Sequence, residues 1–448
     1  MRKRLLLAMA CLFASVCLFT GCAKKVPQQG VAQSAAQSTE TVVQNAGTQS
    51  APAPTKNDPV VTTAWYTFAN TNEKNYQEAI SRFNASQDKY KVVGVSQSWN
   101  EINEKVMSSL KAGNYPDIIA GEAPTISNYV KEGLVVDFLP YITDPVTGIK
   151  DFDDFLSSIL DECKQWDGQM YMFPISRTGE VYYYNKTFFD EHGLTPPSTW
   201  DELYETSRKI HEITGTQAIG FDYLDDSYID MLVQRGGAYI DVADKTAGFT
   251  SDISKEAVEY FKAMSDEGIL RLKGEDRSLY MPFANGLVYS FVGTSASSSS
   301  VRSSVENAFE IGYAPIPQQG EKPYVTMWGV SQSVFKSTPE RQQGAFEFLK
   351  SFTGTDMNAQ WAIGYNALPV RQSSIDSPAY QEFIQTGNPV IKVLVEQSSR
   401  YGYQPAVSGS YDTNNAITVA LDEILIGVES VDKGLAEAQA EADAALRR

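Results

Sequence analysis

From Val60 onward the chain alternates short apolar strands with amphipathic helices, and that rhythm leaves few folds open. Val60 to Tyr66 reads as a strand, and the next segment sets Tyr76, Ala79, Ile80 and Phe83 on one helical face. Tyr90 to Val95 is a second strand. Asn100 to Ala112 predicts a helix with Ile102, Val106 and Leu110 inward and Gly113-Asn114 as its stop. Asp117 to Ala120 supplies a third strand. This order predicts an α/β fold on a mainly parallel sheet covered on both faces. Val181 to Asn185 is a strand of the second half. Thr199-Trp200-Asp201-Glu202 reads as a capping box opening a helix with Leu203, Ile210 and Ile213 inward, and Ser337-Thr338-Pro339-Glu340 as another. Ala416 to Arg448 is helical with a break near Gly427, and no internal repeat is present. A body spanning 59–448 is long enough for two domains.

The N-terminal end reads as a processing signal. Arg2, Lys3 and Arg4 precede an apolar run from Leu5 to Phe19, too short to span a bilayer with its flanks. Phe19-Thr20-Gly21-Cys22 resembles the bacterial lipobox, with Phe19 where Leu is usual. That reading makes residues 1–22 a lipoprotein signal peptide and Cys22 the lipidated start of the mature chain, anchored to a membrane. Residues 23–58 are Ala, Gln, Ser, Thr, Val and Pro with almost no aromatics, and are expected to form a disordered tether. Such a tether reaches on the order of 30 Å. Cys11 and Cys17 leave with the signal, so Cys163 stands alone and no disulfide is available. Beside Asp161 and Glu162 its thiol is a poor nucleophile, and it is expected to be structural.

Composition excludes several functions. With 37 Lys and Arg against 55 Asp and Glu, and no basic cluster, a nucleic-acid partner is not expected. The two histidines, His192 and His211, lie among charged residues of amphipathic segments and read as solvated. There is no His/Cys cluster with metal spacing, no phosphate-cradling glycine loop and no Gly-x-Ser-x-Gly elbow. Adjacent carboxylates such as Asp225-Asp226 are weak signs of acid–base work in so acidic a chain. No catalytic residue, metal or cofactor is expected; binding without turnover is.

Four segments carry a resemblance to a known family. The first joins Ala79 to Asn84 with Lys111-Ala112-Gly113-Asn114-Tyr115-Pro116-Asp117-Ile118-Ile119. The second runs from Phe173-Pro174 through Tyr183-Tyr184-Asn185-Lys186 to Thr199-Trp200-Asp201-Glu202-Leu203. The third is Trp328-Gly329-Val330-Ser331 with the helix around Phe346 to Leu349, and the fourth is Gly364-Tyr365 with Leu368-Pro369-Val370-Arg371. In order and spacing they resemble the extracellular solute-binding proteins of ABC sugar importers, nearest their glycerol-3-phosphate-binding branch and similar also to the maltose-binding proteins. The resemblance implies a periplasmic-binding-protein-like type II fold, with two α/β lobes, a central cleft and three hinge crossings. The first lobe is expected to be 59–175 plus 317–366, and the second 177–312 plus 372–448. Crossings are expected near 175–180, 313–317 and 365–371.

The resemblance also carries site residues onto this chain. Trp99 stands where glycerol-phosphate binders have Tyr, and Glu122 matches a ligand-binding Glu. Thr178 matches a ligand-contacting Ser, with Arg177 beside it at the cleft entrance. Tyr223 and Asp226 replace a pair of Trp residues, and Ser295 and Ser297 match a serine-bearing loop. Gly329 allows close backbone approach, and Tyr365 matches a binding Tyr at the third crossing. Tyr411 falls where the phosphate-binding Arg should be, which removes the strongest phosphate contact unless Arg177 substitutes. The expectation is therefore a monomeric receptor that delivers a neutral carbohydrate to ABC permease subunits. A glycerol-3-phosphate or glycerophosphodiester ligand is the alternative. A sensing or adhesion lipoprotein and a secreted hydrolase stay open as other classes. The location is exported and membrane-anchored, in a periplasm or on an outer face.

Overall fold

The structure, a computed structural model, describes residues 58–68, 70–98, 101–274, 276 and 278–448, without the side chains of residues 70, 71 and 103. The signal peptide, Cys22, all of the tether but residue 58, and Trp99 lie outside the described residues.

Fourteen strands are described: β1 (Val60–Tyr66), β2 (Tyr90–Ser96), β3 (Ile118–Gly121), β4 (Phe173–Pro174), β5 (Thr178–Asn185), β6 (Ile219–Phe221), β7 (Ile240–Asp241), β8 (Thr246–Ala247), β9 (Leu270–Arg271), β10 (Ser290–Thr294), β11 (Ile311–Ala314), β12 (Val325–Trp328), β13 (Ser331–Val334) and β14 (Tyr401–Gly402). They form two main sheets and one small hairpin, β7 with β8. The first sheet has the order β2-β1-β3-β13-β4. Its early half is parallel, as the strand–helix rhythm implies, whereas β13 runs antiparallel to both β3 and β4. The second sheet has the order β14-β12-β5-β10-β6-β9, with β11 also on β5. It is mixed rather than mainly parallel, because β10, β11 and β12 all pair antiparallel with β5.

Local chemistry accounts for these elements. In β1, Thr62, Ala64 and Tyr66 are buried while their neighbours are not, the alternation of a strand with one face on a core. The helix Asn70–Ser86 turns Tyr76, Ala79, Ile80 and Phe83 onto that face. There Tyr66, Phe68, Tyr76, Phe352 and Trp361 pack edge to face and tilted, the geometry aromatic quadrupoles favour. The helix Ile102–Ala112 ends as expected at Gly113, whose φ of 69° suits a residue without Cβ. In the helix Trp200–Thr214, Leu203 and Ile210 are buried but Ile213 is exposed, because it lies beyond the covered stripe. The C-terminal helical region divides into Ser410–Leu425 and Val431–Leu446 around Gly427.

The chain changes sheets between β4 and β5, across Ile175–Arg177, and again between β12 and β13, at Gly329–Val330. The second change lies downstream of the expected 313–317, because β12 places Met327 and Trp328 opposite Gly179 and Thr178 in the second sheet. A third stretch, after the helix Thr355–Tyr365, runs antiparallel against the first passage: the Arg177 N–H donates to the Leu368 carbonyl at 3.0 Å and the Leu368 N–H to that of Arg177 at 2.7 Å. Buried Asn358 ties the same two segments. Its Nδ2 donates to the Ile175 carbonyl at 2.7 Å, and its Oδ1 accepts from the Val370 N–H at 2.8 Å.

Candidate binding site

Glu122 follows β3 directly and begins the helix Ala123–Lys131, where ligands of open α/β sheets collect. Its carboxylate does not cap that helix and stays half-buried. Burial pushes its pKa up, the nearby charge of Glu162 adds to this, and the Arg177 guanidinium opposes both. Glu122 in turn helps raise the hydroxyl pKa of Tyr223 and of Tyr365, behind the larger effect of burial in each case. One carboxylate thus stands near two expected ring residues that are far apart in sequence. Tyr365 stacks on Trp361 at 5.3 Å, and Tyr223 meets Trp328 at 5.3 Å between ring centroids. Tyr223 is 44% exposed, so its ring is available to a guest.

Arg177 is different. Its side chain is 0% exposed, and its guanidinium is already bonded. Nε donates to Glu162 Oε2 at 2.8 Å, Nη1 to the Ser176 carbonyl at 2.8 Å, and Nη2 to Ser331 Oγ at 3.0 Å and Cys163 Sγ at 3.6 Å. Nη2 also lies 2.7 Å from Glu162 Oε2. The structure therefore places Arg177 under the site as an internal ion pair and not at a cleft entrance. Cys163 is buried against it, and burial pushes its thiol up to about 12, as suits a structural cysteine.

Gly329 is tight against the protein itself. A Cβ there would meet Arg177 Cδ at 2.4 Å and the Ser176 carbonyl oxygen at 2.5 Å, so the missing side chain makes room for the crossing. Thr178 is buried, with its Oγ1 donating to the Trp328 carbonyl at 3.4 Å. Asp226 is buried too, and its Oδ1 accepts from Gln404 Nε2 at 2.7 Å. Ser295 and Ser297 form a short 3-10 turn leading into the helix Ser298–Val305, not an irregular loop. Ser295 Oγ is buried without a hydrogen-bond partner, and Ser297 is half-buried. Tyr411, 76% exposed, stands on the helix Ser410–Leu425 across a recess from Tyr223. The charge of Glu122 acts on both Tyr223 and Tyr365, while Thr178, Arg177 and Gly329 form a packed crossing.

Residues 78–387 match the bacterial extracellular solute-binding proteins. The chain belongs to that family. A protein named only as a binding protein, from Brucella abortus (strain 2308), is 24% identical over 362 residues, covering 78% of this chain and 84% of that one. The sn-glycerol-3-phosphate-binding periplasmic protein UgpB of Rhizobium meliloti (strain 1021) is 26% identical over 343 residues, covering 72% and 77%. Among solved structures, the cyclic alpha-maltosyl-1,6-maltose binding protein from Arthrobacter globiformis superposes with a TM-score of 0.78 at 25% identity, covering 87% of this chain and 99% of that one. UgpB from Mycobacterium tuberculosis in complex with glycerophosphocholine gives a TM-score of 0.75 at 21% identity, covering 87% and 98%, a likeness of fold. The two-lobed α/β architecture of solute-binding proteins is thus the fold of this chain, and its relatives are binding receptors rather than enzymes. Among the described residues, no helix is long and apolar enough to cross a membrane.

In this solute-binding protein, sequence reasoning passed over Trp328, Lys273 and Asp422. Trp328 stood in the motif before Gly329, and its half-burial beside Tyr223 makes it the better ring partner of that pair. Tyr411, Asn415, Thr418 and Asp422 recur along one polar face of a helix otherwise apolar toward the core, a periodicity visible in the sequence. Lys273 carries no local signal, since only the fold brings it over Tyr223.

Proposed function

We propose that this solute-binding protein captures a carbohydrate lacking a phosphate group and delivers it to the permease of an ABC importer, without chemistry. One observation carries the ligand class. The Arg177 guanidinium, whose charge acts on Glu122, is consumed by Glu162, Ser176 and Ser331, and the resemblance to glycerol-3-phosphate binders sets their phosphate-binding arginine at the position of Tyr411. What remains around Glu122 is aromatic and hydroxyl-rich: Tyr223, Trp328 and Tyr365. Such rings stack on the C–H faces of a sugar, while a carboxylate accepts two of its hydroxyls. The relatives include both a maltosyl-maltose binder and glycerol-3-phosphate binders, so the family admits either class.

In this reading the two lobes, one on each main sheet with the second crossing at Gly329–Val330 instead of 313–317, close over the ligand as a monomer. The Leu5–Phe19 run and Cys22 support export and a lipid anchor, with residues 23–58 as the tether.

A panel of neutral mono- and disaccharides, with glycerol-3-phosphate beside it, tests the ligand class by thermal shift. At about a hundred times its Kd a ligand stabilises the native state by about 2.7 kcal/mol, so a cognate sugar raises the unfolding midpoint clearly. Glu122→Ala is expected to weaken that sugar at least about tenfold without lowering the ligand-free midpoint, since the carboxylate does not cap its helix and its burial is already a cost. Stabilisation by glycerol-3-phosphate alone would overturn the carbohydrate reading in favour of the phosphate one.

A further inference from the structure

Tyr223 has a second side. Lys273 Nζ lies 5.0 Å from its ring centroid, and past that ring opens a recess of about 320 Å³. The floor is the carboxyl end of β6 and β9, which pair in parallel, the place where α/β sheets gather ligands. The far wall is the polar face of the helix Ser410–Leu425, with Tyr411, Asn415 and Asp422. The size lies at the lower end of small-molecule sites.

Its charges do not balance. Asp222, Asp225 and Asp422 line it with Lys273 and Arg271. Asp222 is spent internally, accepting from the Leu279 N–H at 2.7 Å and Ser278 Oγ at 2.8 Å. Arg271 is paired with Asp276 at 2.8 Å. Lys273 donates to the Asp222 main-chain carbonyl at 3.0 Å, and its charge acts on the Asp222 carboxylate as well. Asp225 has neutral side-chain donors, the amide of Asn414 at 2.8 Å and the Thr418 hydroxyl. Asp422 stands exposed at the rim, near enough to Asp225 to feel its charge. The lining carboxylates, Asp222, Asp225 and Asp422, thus outnumber the one cation not paired elsewhere, Lys273, whose charge acts on both Asp222 and Asp422, and two tyrosine faces stand beside them.

We propose that this recess is a second binding subsite, and that it takes a protonated amine carried on the far part of the ligand. Aromatic faces together with carboxylates attract an ammonium, and the same field opposes an anion. Tyr223 already seats one ammonium, that of Lys273, on its ring. The recess and the Glu122 face share Tyr223, so a sugar ring held on Tyr223 can turn an amino substituent into the recess. This rests on the carbohydrate reading only for the group that brings the amine.

Calorimetric titration of the full-length protein with glucosamine, glucose and glucose 6-phosphate tests it, with ethanolamine alone as a probe of the recess. Glucosamine is expected to bind at least about fivefold tighter than glucose, and glucose 6-phosphate more weakly than either. The glucosamine preference should shrink as salt rises to about 0.3 M. Asp422→Asn should bring the glucosamine-to-glucose ratio within about twofold. Equal binding of the two sugars by the wild type, or an unchanged ratio in Asp422→Asn, overturns the subsite and leaves sugar capture standing. Stabilisation by ethanolamine that Asp422→Asn abolishes, with no sugar bound, upholds the recess and ends the carbohydrate reading instead.

Discussion

Replacing Arg177 by methionine is expected to cost the folded protein about 3–5 kcal/mol, read as a drop in the denaturant midpoint at unchanged m-value. The reason is what the change leaves behind. Glu162 is nearly as buried as Arg177, and Arg177 supplies its strongest stabilising contact, while the Ser331 hydroxyl and the Ser176 carbonyl also lose a charged donor. An uncompensated carboxylate in a low-dielectric interior must take up a proton or unfold its surroundings. Burial already holds the Glu162 pKa up, against the opposing pull of Arg177, so the single variant titrates still higher. A double variant, Arg177→Met with Glu162→Leu, should recover most of the loss, because a buried ion pair exchanged for apolar groups of similar size is often neutral. A single variant losing less than about 1 kcal/mol would show that this pair is wetter than its burial implies.

A pH effect of comparable size is expected from Asp230. Its Oδ1 accepts from the Thr326 N–H and Oγ1, both at 2.7 Å, while its Oδ2 is buried with no partner. Glu180 is buried nearby with its own Oε1 unpartnered and only Ser227 Oγ, at 3.3 Å, on the other oxygen. Burial pushes Asp230 up to about 7, and it raises Glu180 well above the usual carboxylate range, with the charge of Asp230 adding to the effect. A carboxyl whose folded pKa exceeds its unfolded value near 3.9 favours the native state only while protonated. Its contribution is therefore complete below about pH 4 and is lost as pH climbs to about 7.

Asp230→Asn keeps the acceptor for Thr326 and removes the titration. Relative to wild type, the variant should gain stability across that window, reaching on the order of 2–4 kcal/mol by pH 8. Urea unfolding of both proteins at a series of pH values measures the difference directly. Curves that stay parallel from pH 4 to 8 would mean that Asp230 is ionised in the native state at no cost. Asp226 and Glu180 are both raised in part by the charge of Asp230, so the variant also eases their titration and adds to the gain with the same sign.

The sequence was most legible where a local rule meets one face of one element. Alternation in Val60–Tyr66 and the spacing of Tyr76, Ala79, Ile80 and Phe83 set those elements, and burial follows the same pattern. Helix starts marked by a capping motif were legible to within a residue, whereas those expected at Asn100 and Ala416 fall at Ile102 and Ser410. Thr199 caps as its motif implies, and Glu202 returns its carboxylate chiefly to the hydroxyl and N–H of Ser198, with the Thr199 N–H a lesser donor. In the second motif Thr338 is the cap, because the Ser337 hydroxyl is drawn to Asp117.

Positions that end a strand or carry a ring, as Glu122, Tyr223 and Tyr365 do, are those a local pattern can single out as candidates. Arg177 was misread for a definite reason: whether a guanidinium at a crossing faces outward or inward depends on Glu162 and Ser331, and no local pattern reports partners so far along the chain. The antiparallel half of the second sheet was hidden likewise, since β11 and β12 reach β5 only through long connections.

Asn358 has a mechanical consequence. By gripping the main chain at Ile175 and Val370 together, it makes two neighbouring connectors behave as one stiff ribbon. Torsion applied to either is transmitted to its neighbour, so relative rotation of the sheets is steered toward the short Gly329–Val330 link. There Gly329 is wedged against Arg177, which favours a single bending axis over a loose swivel.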